Sequence, residues 1–272
     1  MANDLKEVLL PPESHATRLG SAHRRLALLI SLVIGLGLFF IWLPSGARAA
    51  LFAALRAQRA LVGMLFLFAL IAVSLVWSAG QRLDTRIFLF FNLRGYHRKW
   101  LDRVMWLATQ VGNMLTAFLL AGLFFVLNTR RLAVEVILGT LTLWLLVETI
   151  KALTNRARPF LDLDQTRVIG WRERGRSFPS GHTAQTFFLV TVLSTTLTVL
   201  STTPLSTTPL GHQFQLGIEG TVALYAVAVL VGFTRMYVGA HYPRDVIGGA
   251  VLGSVWGILA TLVDPYWLGL RF

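Results

Sequence analysis

The chain has 272 residues, 55% hydrophobic and only 14% charged, with a mean hydropathy of +0.63. A soluble domain carries about a quarter charged residues, so most of this surface is not built to face water, and the length suits roughly six to eight membrane spans. A net charge of +12 points to anionic headgroups or a phosphorylated substrate, nucleic acid is disfavoured because no basic stretch interleaves with aromatics on a soluble module, and the lack of cysteine excludes disulfides, thiolate catalysis and Cys-ligated metals.

In chain order, residues 1–25 are polar, include Pro11-Pro12, lack periodicity and read as a mobile tail. Leu26 to Leu43 is an apolar run longer than a signal-peptide core, so an uncleaved span is expected there. A second span follows from about Ala60 to Trp77. Residues 82–104 set Ile87, Phe88, Leu89, Phe90 and Phe91 among Arg82, Arg86, Arg94, Arg98, Lys99 and Arg103. That mixture predicts a helix or helix pair lying in the interface, its apolar side in lipid and its basic side toward headgroups. Further spans are expected near 105–127, 132–152, 182–200, 219–238 and 246–263, with a short tail over 264–272. Residues 153–181 form a long Arg-rich connection, and residues 201–210 read STTPLSTTPL, a duplication that suits a pliable linker. The fold class expected is all-α: a polytopic bundle of about seven membrane helices, with 26–81 as an N-terminal pair and 82–263 as the bundle bearing the motifs below.

Three stretches put polar groups at the ends of apolar spans. They are Lys151-x6-Arg158-Pro159, Pro179-Ser180-Gly181-His182, and Thr234-Arg235-x5-His241-x3-Asp245. With alternating spans, all three fall on one side of the membrane. Singly, most have ordinary structural readings. Lys151 can snorkel or pair with Glu148, Ser180-Gly181 can be a helix N-cap, and His241 with Asp245 can be a local pair. Arg235 is harder to dismiss, because a charge so near an apolar span is costly and usually has a partner or a function.

Together they have one chemical logic. Phosphoryl transfer spreads charge over three equatorial oxygens, so catalysis is mostly positioning and electrostatic stabilisation. Lys151, Arg158 and Arg235 supply fixed positive charge, the arginines as planar forks. Ser180 offers a hydroxyl, and Gly181 a backbone N–H at a helix N-terminus. His241, oriented by the Asp245 carboxylate, fits a nucleophile that must be neutral at its attacking nitrogen. His182 fits the general acid for the leaving oxygen. On this reading no metal or other cofactor is required, because the cationic cluster does the work of a divalent ion.

These motifs resemble the type 2 phosphatidic acid phosphatase family, the membrane lipid phosphate phosphatases related to vanadium haloperoxidases. The family pattern is K-x6-RP, PSGH and SR-x5-H-x3-D; this chain reads KALTNRARP, FPSGHTA and TRMYVGAHYPRD. Thr234 stands where Ser is usual and keeps the hydroxyl. The resemblance covers about residues 82–263. It implies that Lys151, Arg158, Ser180, Gly181 and Arg235 bind phosphate, and that His241, Asp245 and His182 carry the chemistry. It also implies a lipid phosphate or diphosphate as substrate, a polyprenyl diphosphate such as undecaprenyl diphosphate being expected first. Phosphatidylglycerophosphate, phosphatidate or the lipid A phosphates come next. Arg167, Arg172, Arg174 and Arg176 either grip a second phosphate or form a solvated basic loop. The family core has six spans, which makes 26–43 an additional helix. A soluble haloperoxidase is opposed by the apolar spans, and a non-catalytic binder or flippase has no need of both histidines and Asp245. The resemblance further implies a bacterial inner membrane protein with its site outside the cytoplasm, whereas far more Lys and Arg lie in the site-side loops than opposite them, against the positive-inside rule.

Overall fold

A computed structural model of the chain describes residues 33–93, 98–202 and 217–267, together with positions 27, 30 and 31. The tail expected over 1–25 and the proline-bearing part of the STTPL duplication lie outside the described residues. All regular structure among the described residues is helical. The helices are α1 (Val33–Trp42), α2 (Ser45–Ala57), α3 (Arg59–Ser74), α4 (Ser78–Leu93), α5 (Lys99–Gln110), α6 (Met114–Val126), α7 (Arg130–Thr154), the single turn α8 (Pro159–Asp162), α9 (Gly181–Thr202), α10 (Ile218–Tyr237) and α11 (Pro243–Trp267).

Among the described residues, three helices are long and apolar enough to cross a membrane: the segment Arg130–Asp162 built on α7, α10, and α11 as far as Val263. Up to six spans result if the bent pairs α1–α2, α3–α4 and α5–α6, turning by 110°, 97° and 58°, each count as one. This differs from seven straight spans. Residues 45–57, which lie between the first two expected spans, form the helix α2 folded back from α1. The 82–104 segment falls on a helix pair, one of the two forms expected, but not all of its apolar side faces lipid. It divides into the end of α4 and the start of α5, and the face of α4 turned into the protein is Asp84, Phe88 and Asn92, one every four residues. Phe88 is fully buried against Tyr242, its ring centroid 5.6 Å away, so it does not face lipid. The inward face of α4 carries an acid and an amide because, as shown below, it holds loops together.

The core lies where α6, α7, α9 and α11 meet. Leu132, Val136, Leu143 and Val147 recur along one side of α7 and pack on Ala184, Phe188 and Val192 of α9 and Leu252 of α11. Between α9 and α11 the contact is backbone on backbone. Gly249, Gly253 and Gly257 make a one-per-turn stripe on α11, and a Cβ added at Gly253 would stand 2.1 Å from the Ala184 carbonyl oxygen. Lipid offers no hydrophobic drive for helices to associate, so close approach along small residues and hydrogen bonds between helices supply it. Gln185 Nε2 donates to Thr140 Oγ1 (2.9 Å) and Trp256 Nε1 to Thr142 Oγ1 (3.1 Å), lacing α9 and α11 to α7. Large apolar side chains such as Phe66, Leu119 and Val229 stay exposed, as a bilayer-facing surface requires.

Candidate active site

Each of the three motifs occupies a helix end that its own sequence creates. α7 stops at Asn155, whose left-handed conformation (φ 50°) lets its N–H close on the Lys151 carbonyl, leaving Lys151 in the last turn. Pro159 then starts α8, with Arg158 as its N-cap residue. α9 begins at Gly181. The Ser180 hydroxyl accepts from Thr183 N–H (3.5 Å) and Thr183 Oγ1 (2.9 Å), and the Ser180 N–H donates to the Asp245 carbonyl (2.9 Å). That last bond fixes the second motif to the third. α10 ends at Tyr237, and Gly239 (φ +87°) makes the turn that delivers His241 ahead of α11. Only glycine fits there, since a Cβ would lie 2.3 Å from the Arg167 carbonyl oxygen.

These ends converge on a polar cavity of about 330 Å³ whose lining includes Lys151, Arg158, Gly181, His182 and His241. Arg158 and Arg235 are almost wholly buried. The Arg158 guanidinium donates from Nη1 toward His241 Nε2 (3.2 Å) and the Ala240 carbonyl (3.3 Å). Arg235 donates from Nη1 to Thr109 Oγ1 (2.7 Å). Lys151 pairs with Glu148 at 2.8 Å, the structural alternative its sequence context suggested, and still lines the cavity. Ser180 is fully buried as the cap of α9, and among the described residues it is absent from that lining. Gly112, in the bend between α5 and α6, backs His182 so closely that a Cβ would stand 2.6 Å from the His182 carbonyl oxygen.

The surroundings of His241 fix its tautomer. A guanidinium is always a donor, so His241 Nε2 facing Arg158 carries a lone pair and the ring proton sits on Nδ1. Nδ1 lies 3.4 Å from Ser177 Oγ and 3.7 Å from Asp245 Oδ2. Ser177 Oγ in turn donates to Asp245 Oδ2 at 2.5 Å. The carboxylate thus acts on the imidazole mainly through a hydroxyl, a link the spacing of the third motif alone did not reveal. Burial, with Arg158 and Arg235 nearby, pushes the His241 pKa well below the ordinary histidine value, keeping the ring neutral.

Behind this pair stands a second group of charges. Arg156 donates from Nη1 to Asp245 Oδ1 (2.6 Å) and from Nη2 to Asp84 Oδ2 (2.5 Å) and Gln81 Oε1 (2.7 Å). Arg244 Nε donates to the same Asp84 oxygen at 2.6 Å. Asp84 of α4 therefore anchors both the first and third motifs. Sequence reasoning missed Arg156, Ser177 and Asp84. The first lies inside KALTNRARP and the second three residues before Ser180, while Asp84 is one of two acids in an otherwise basic segment.

The Arg-rich connection is largely tied down. Asn92 Nδ2 donates to the Arg167 carbonyl (2.9 Å) and its Oδ1 accepts from the Arg167 N–H (2.9 Å), while Ile169 N–H donates to the Val238 carbonyl (3.1 Å). Arg167 donates to both Asp102 oxygens at 2.9 Å and stacks over Tyr237, and Arg172 lies over Phe160. Both are engaged within the protein. Arg174 lines the cavity mouth.

One carboxylate of this connection enters the site. Glu173 Oε2 accepts from Arg158 Nη1 (2.9 Å) and is 3.9 Å from His241 Nε2; Glu173 Oε1 accepts from Arg235 Nη2 and is 3.9 Å from His182 Nδ1. Burial alone pushes this carboxyl's pKa upward, but Arg235 and its neighbours hold it well below the usual range, so it is ionised. Two of the groups expected to bind phosphate, Arg158 and Arg235, and the two histidine nitrogens thus surround an anion, here one supplied by the chain.

Comparison with known proteins bears on the whole assembly. The family model described as the PAP2 superfamily matches residues 132–268, which hold all three motifs. An undecaprenyl-diphosphatase of Sulfolobus acidocaldarius is 30% identical over 137 residues, covering 50% of this chain and 57% of that protein. A lipid A 1-phosphatase of Rhizobium johnstonii is 48% identical over 42 residues, only 17% of its length. Phosphatidylglycerophosphatase B of Bacillus subtilis is 30% identical over 211 residues, covering 75% of this chain and 94% of that protein. Among solved structures, a transmembrane PAP2-type phosphatidylglycerolphosphate phosphatase from Bacillus subtilis superposes with a TM-score of 0.60 at 26% identity, covering 78% of this chain and 98% of that one. Aquifex aeolicus LpxE superposes with a TM-score of 0.53 at 27% identity, covering 66% and 94%. On the extent of the family match and the near-complete coverage of the Bacillus protein, this membrane chain belongs to the PAP2 superfamily.

Proposed function

We propose that this protein hydrolyses the terminal phosphate of a membrane lipid phosphate or diphosphate through a phosphohistidine. The observation that carries the reading is the anion held between His241 Nε2 and His182 Nδ1 by Arg158 and Arg235. A phosphoryl group in that place has a neutral imidazole nitrogen on one side and a second imidazole on the other, as in-line displacement requires. His241 Nε2 forms an N–P bond as the P–O bond to the lipid breaks, and protonated His182 passes its proton to the leaving oxygen. The proton on His241 Nδ1 stays on the ring, held by the Ser177–Asp245 pair, which stabilises the imidazolium. Water then attacks phosphorus, the N–P bond breaks, the water proton returns to His182, and orthophosphate leaves. Arg158, Arg235 and Lys151 balance the charge on the equatorial oxygens, and the Gly181 N–H at the start of α9 adds a donor.

For the substrate we propose a polyprenyl diphosphate of the undecaprenyl type, in keeping with the similarity to the Sulfolobus undecaprenyl-diphosphatase. The second reading, phosphatidylglycerophosphate, is favoured by the 94% coverage of the Bacillus phosphatase. The test is phosphate release by purified protein from undecaprenyl diphosphate, phosphatidylglycerophosphate, phosphatidate and lipid A, with EDTA present and vanadate as inhibitor. EDTA-resistant, vanadate-sensitive release that His241→Ala abolishes is expected; release surviving in a folded His241→Ala protein overturns the mechanism. We place the site on the extracytoplasmic face of a bacterial plasma membrane. A reporter active only outside the cytoplasm, fused after residue 170, is expected to be active; a silent reporter on an inserted protein overturns the placement.

A further inference from the structure

Glu173 has no role in the reaction just described, yet its carboxylate occupies the centre of the site. Resting on the phosphatase reading, we propose that Glu173 is a built-in occupant of the phosphate pocket, carried on a hinged arch, which substrate phosphate must displace and which thereby sets the charge a ligand needs to enter. Four observations carry this. First, each of its oxygens serves one half of the pocket, Oε2 facing Arg158 and His241, Oε1 facing Arg235 and His182. Second, Arg158 and Arg235 are each about 2% exposed at the side chain. Two buried charges without a counter-ion are strongly destabilising, so the unliganded pocket needs an anion and Glu173 provides it. Third, the arch is flanked by two glycines in the left-handed region, where a hinge is cheapest. Residues 171–174 lie between Gly170 (φ +81°) and Gly175 (φ +87°), and Trp171 is 83% exposed. Its backbone N–H anchors lie beyond the two glycines, at Ile169 N–H to Val238 O and Ser177 N–H to Arg156 O, while Arg158 reaches the arch backbone through long bonds only, 3.3 Å each, to the Arg174 and Gly175 carbonyls. Fourth, Glu173 and His182 stand between the cavity of about 330 Å³ and a second of about 170 Å³ lined by Trp106, Phe160 and Trp171. Withdrawing Glu173 removes part of the wall between them.

The consequence is a threshold. A ligand carrying one negative charge only exchanges one anion for another at Arg158 and Arg235. A phosphomonoester dianion or a diphosphate brings more charge and more oxygens, and reaches Lys151 as well. Dianionic headgroups therefore displace the arch, while phosphodiesters and carboxylates, abundant in any membrane, do not.

The test uses the full chain in detergent and compares Glu173→Gln, which keeps the shape and removes the charge, with Glu173→Asp, which draws the carboxylate back by one methylene. Orthophosphate binding is read by calorimetry, alongside vanadate inhibition of lipid hydrolysis and thermal unfolding. The expected result is orthophosphate and vanadate affinity at least tenfold higher in Glu173→Gln and intermediate in Glu173→Asp, with KM lowered for monoester substrates. If Glu173 merely holds the arginines in place, the sign reverses and both variants bind phosphate more weakly. Unchanged or weaker binding in variants as thermally stable as wild type overturns the proposal while leaving the phosphatase reading intact, provided wild type hydrolyses lipid phosphates. Should Glu173→Gln not fold, the same sign in Glu173→Asp decides. If wild type neither hydrolyses any lipid nor binds orthophosphate, the phosphatase reading fails; orthophosphate binding that appears only in Glu173→Gln then still supports the occupant, and its absence there overturns that too.

Discussion

Ser177→Ala tests the inference that Asp245 acts on His241 through a hydroxyl. Ser177 Oγ lies 2.5 Å from Asp245 Oδ2 and 3.4 Å from His241 Nδ1, whereas the carboxylate and imidazole are 3.7 Å apart. Removing the hydroxyl leaves Asp245 with Arg156 and the Tyr242 N–H at 2.9 Å, so the carboxylate stays in place. What is lost is the acceptor for Nδ1–H and one hydrogen bond to a charged group, about 1.5–3 kcal/mol. If that stabilisation is expressed when His241 becomes cationic, each ~1.4 kcal/mol removes about a factor of ten in rate, so kcat falls roughly tenfold to a hundredfold. KM should change little, because no phosphate-binding group is touched. Ser177→Thr, which keeps the hydroxyl, should recover most of the rate. The assay is steady-state phosphate release in detergent with the substrate identified from the panel, together with rapid-quench measurement of the phosphorylated enzyme. Wild-type kcat in a folded Ser177→Ala protein would refute the reasoning and return the orienting role to direct Asp245–His241 contact.

Three further outcomes are expected. His241 has its pKa depressed and acts when neutral, so its contribution is present above that depressed value and lost as pH falls through it; the acid limb of kcat/KM should lie below the ordinary histidine value of about 6.5, and a limb near 6.5 assigned to His241 by mutation would contradict the burial argument. Gly253→Val forces a side chain into the Ala184 backbone, where overpacking costs about 1–3 kcal/mol or more; thermal unfolding in detergent should show a clear fall in Tm, and an unchanged Tm would mean that α9 and α11 separate without cost. Asp84→Asn leaves Arg156 and Arg244 without the carboxylate both contact, and breaking a buried ion pair costs about 3–5 kcal/mol; stability and kcat should fall together, and a variant as stable as wild type would show that the network is dispensable.

The candidate site was readable in the sequence to the extent that its residues lie at fixed spacings. Lys151, Arg158, His182, Arg235, His241 and Asp245 share three short stretches, and helix ends bring those stretches together. What sequence could not supply was the partners reached across the bundle. Asp84 is 72 residues from Arg156 and 160 from Arg244, and nothing in a basic, Phe-rich segment signals that its inward face is polar. Phe88 was misplaced for the same reason: composition reports that a segment is amphipathic but not which of its faces meets protein. The bends are a second loss. Hydropathy counts apolar residues without direction, so a run such as 105–126 reads the same whether it is straight or bent by 58°. Glu173 was hidden differently, since an acid flanked by Arg172 and Arg174 looks like an ordinary surface alternation until its carboxylate is seen facing inward.

The arginine excess on the site side of the membrane takes on a different character once these partners are known. Arg156 and Arg244 meet at Asp84, Arg156 also holds Asp245, Arg167 is clamped by Asp102, and Arg158 and Arg235 share Glu173. Four of these five face a carboxylate at 2.5–2.9 Å, and Arg235 is in direct contact with its own. The positive-inside rule concerns loop charges that stay free near the membrane surface. Here many of the arginines are committed to internal partners, and their number follows from what the site must do. An anion pocket at a membrane face needs buried cations, those need counter-ions while no ligand is bound, and the counter-ions need further cations to orient them. A chain with such a pocket accumulates arginine on one side for chemical reasons, so its charge bias is a poor guide to which side that is.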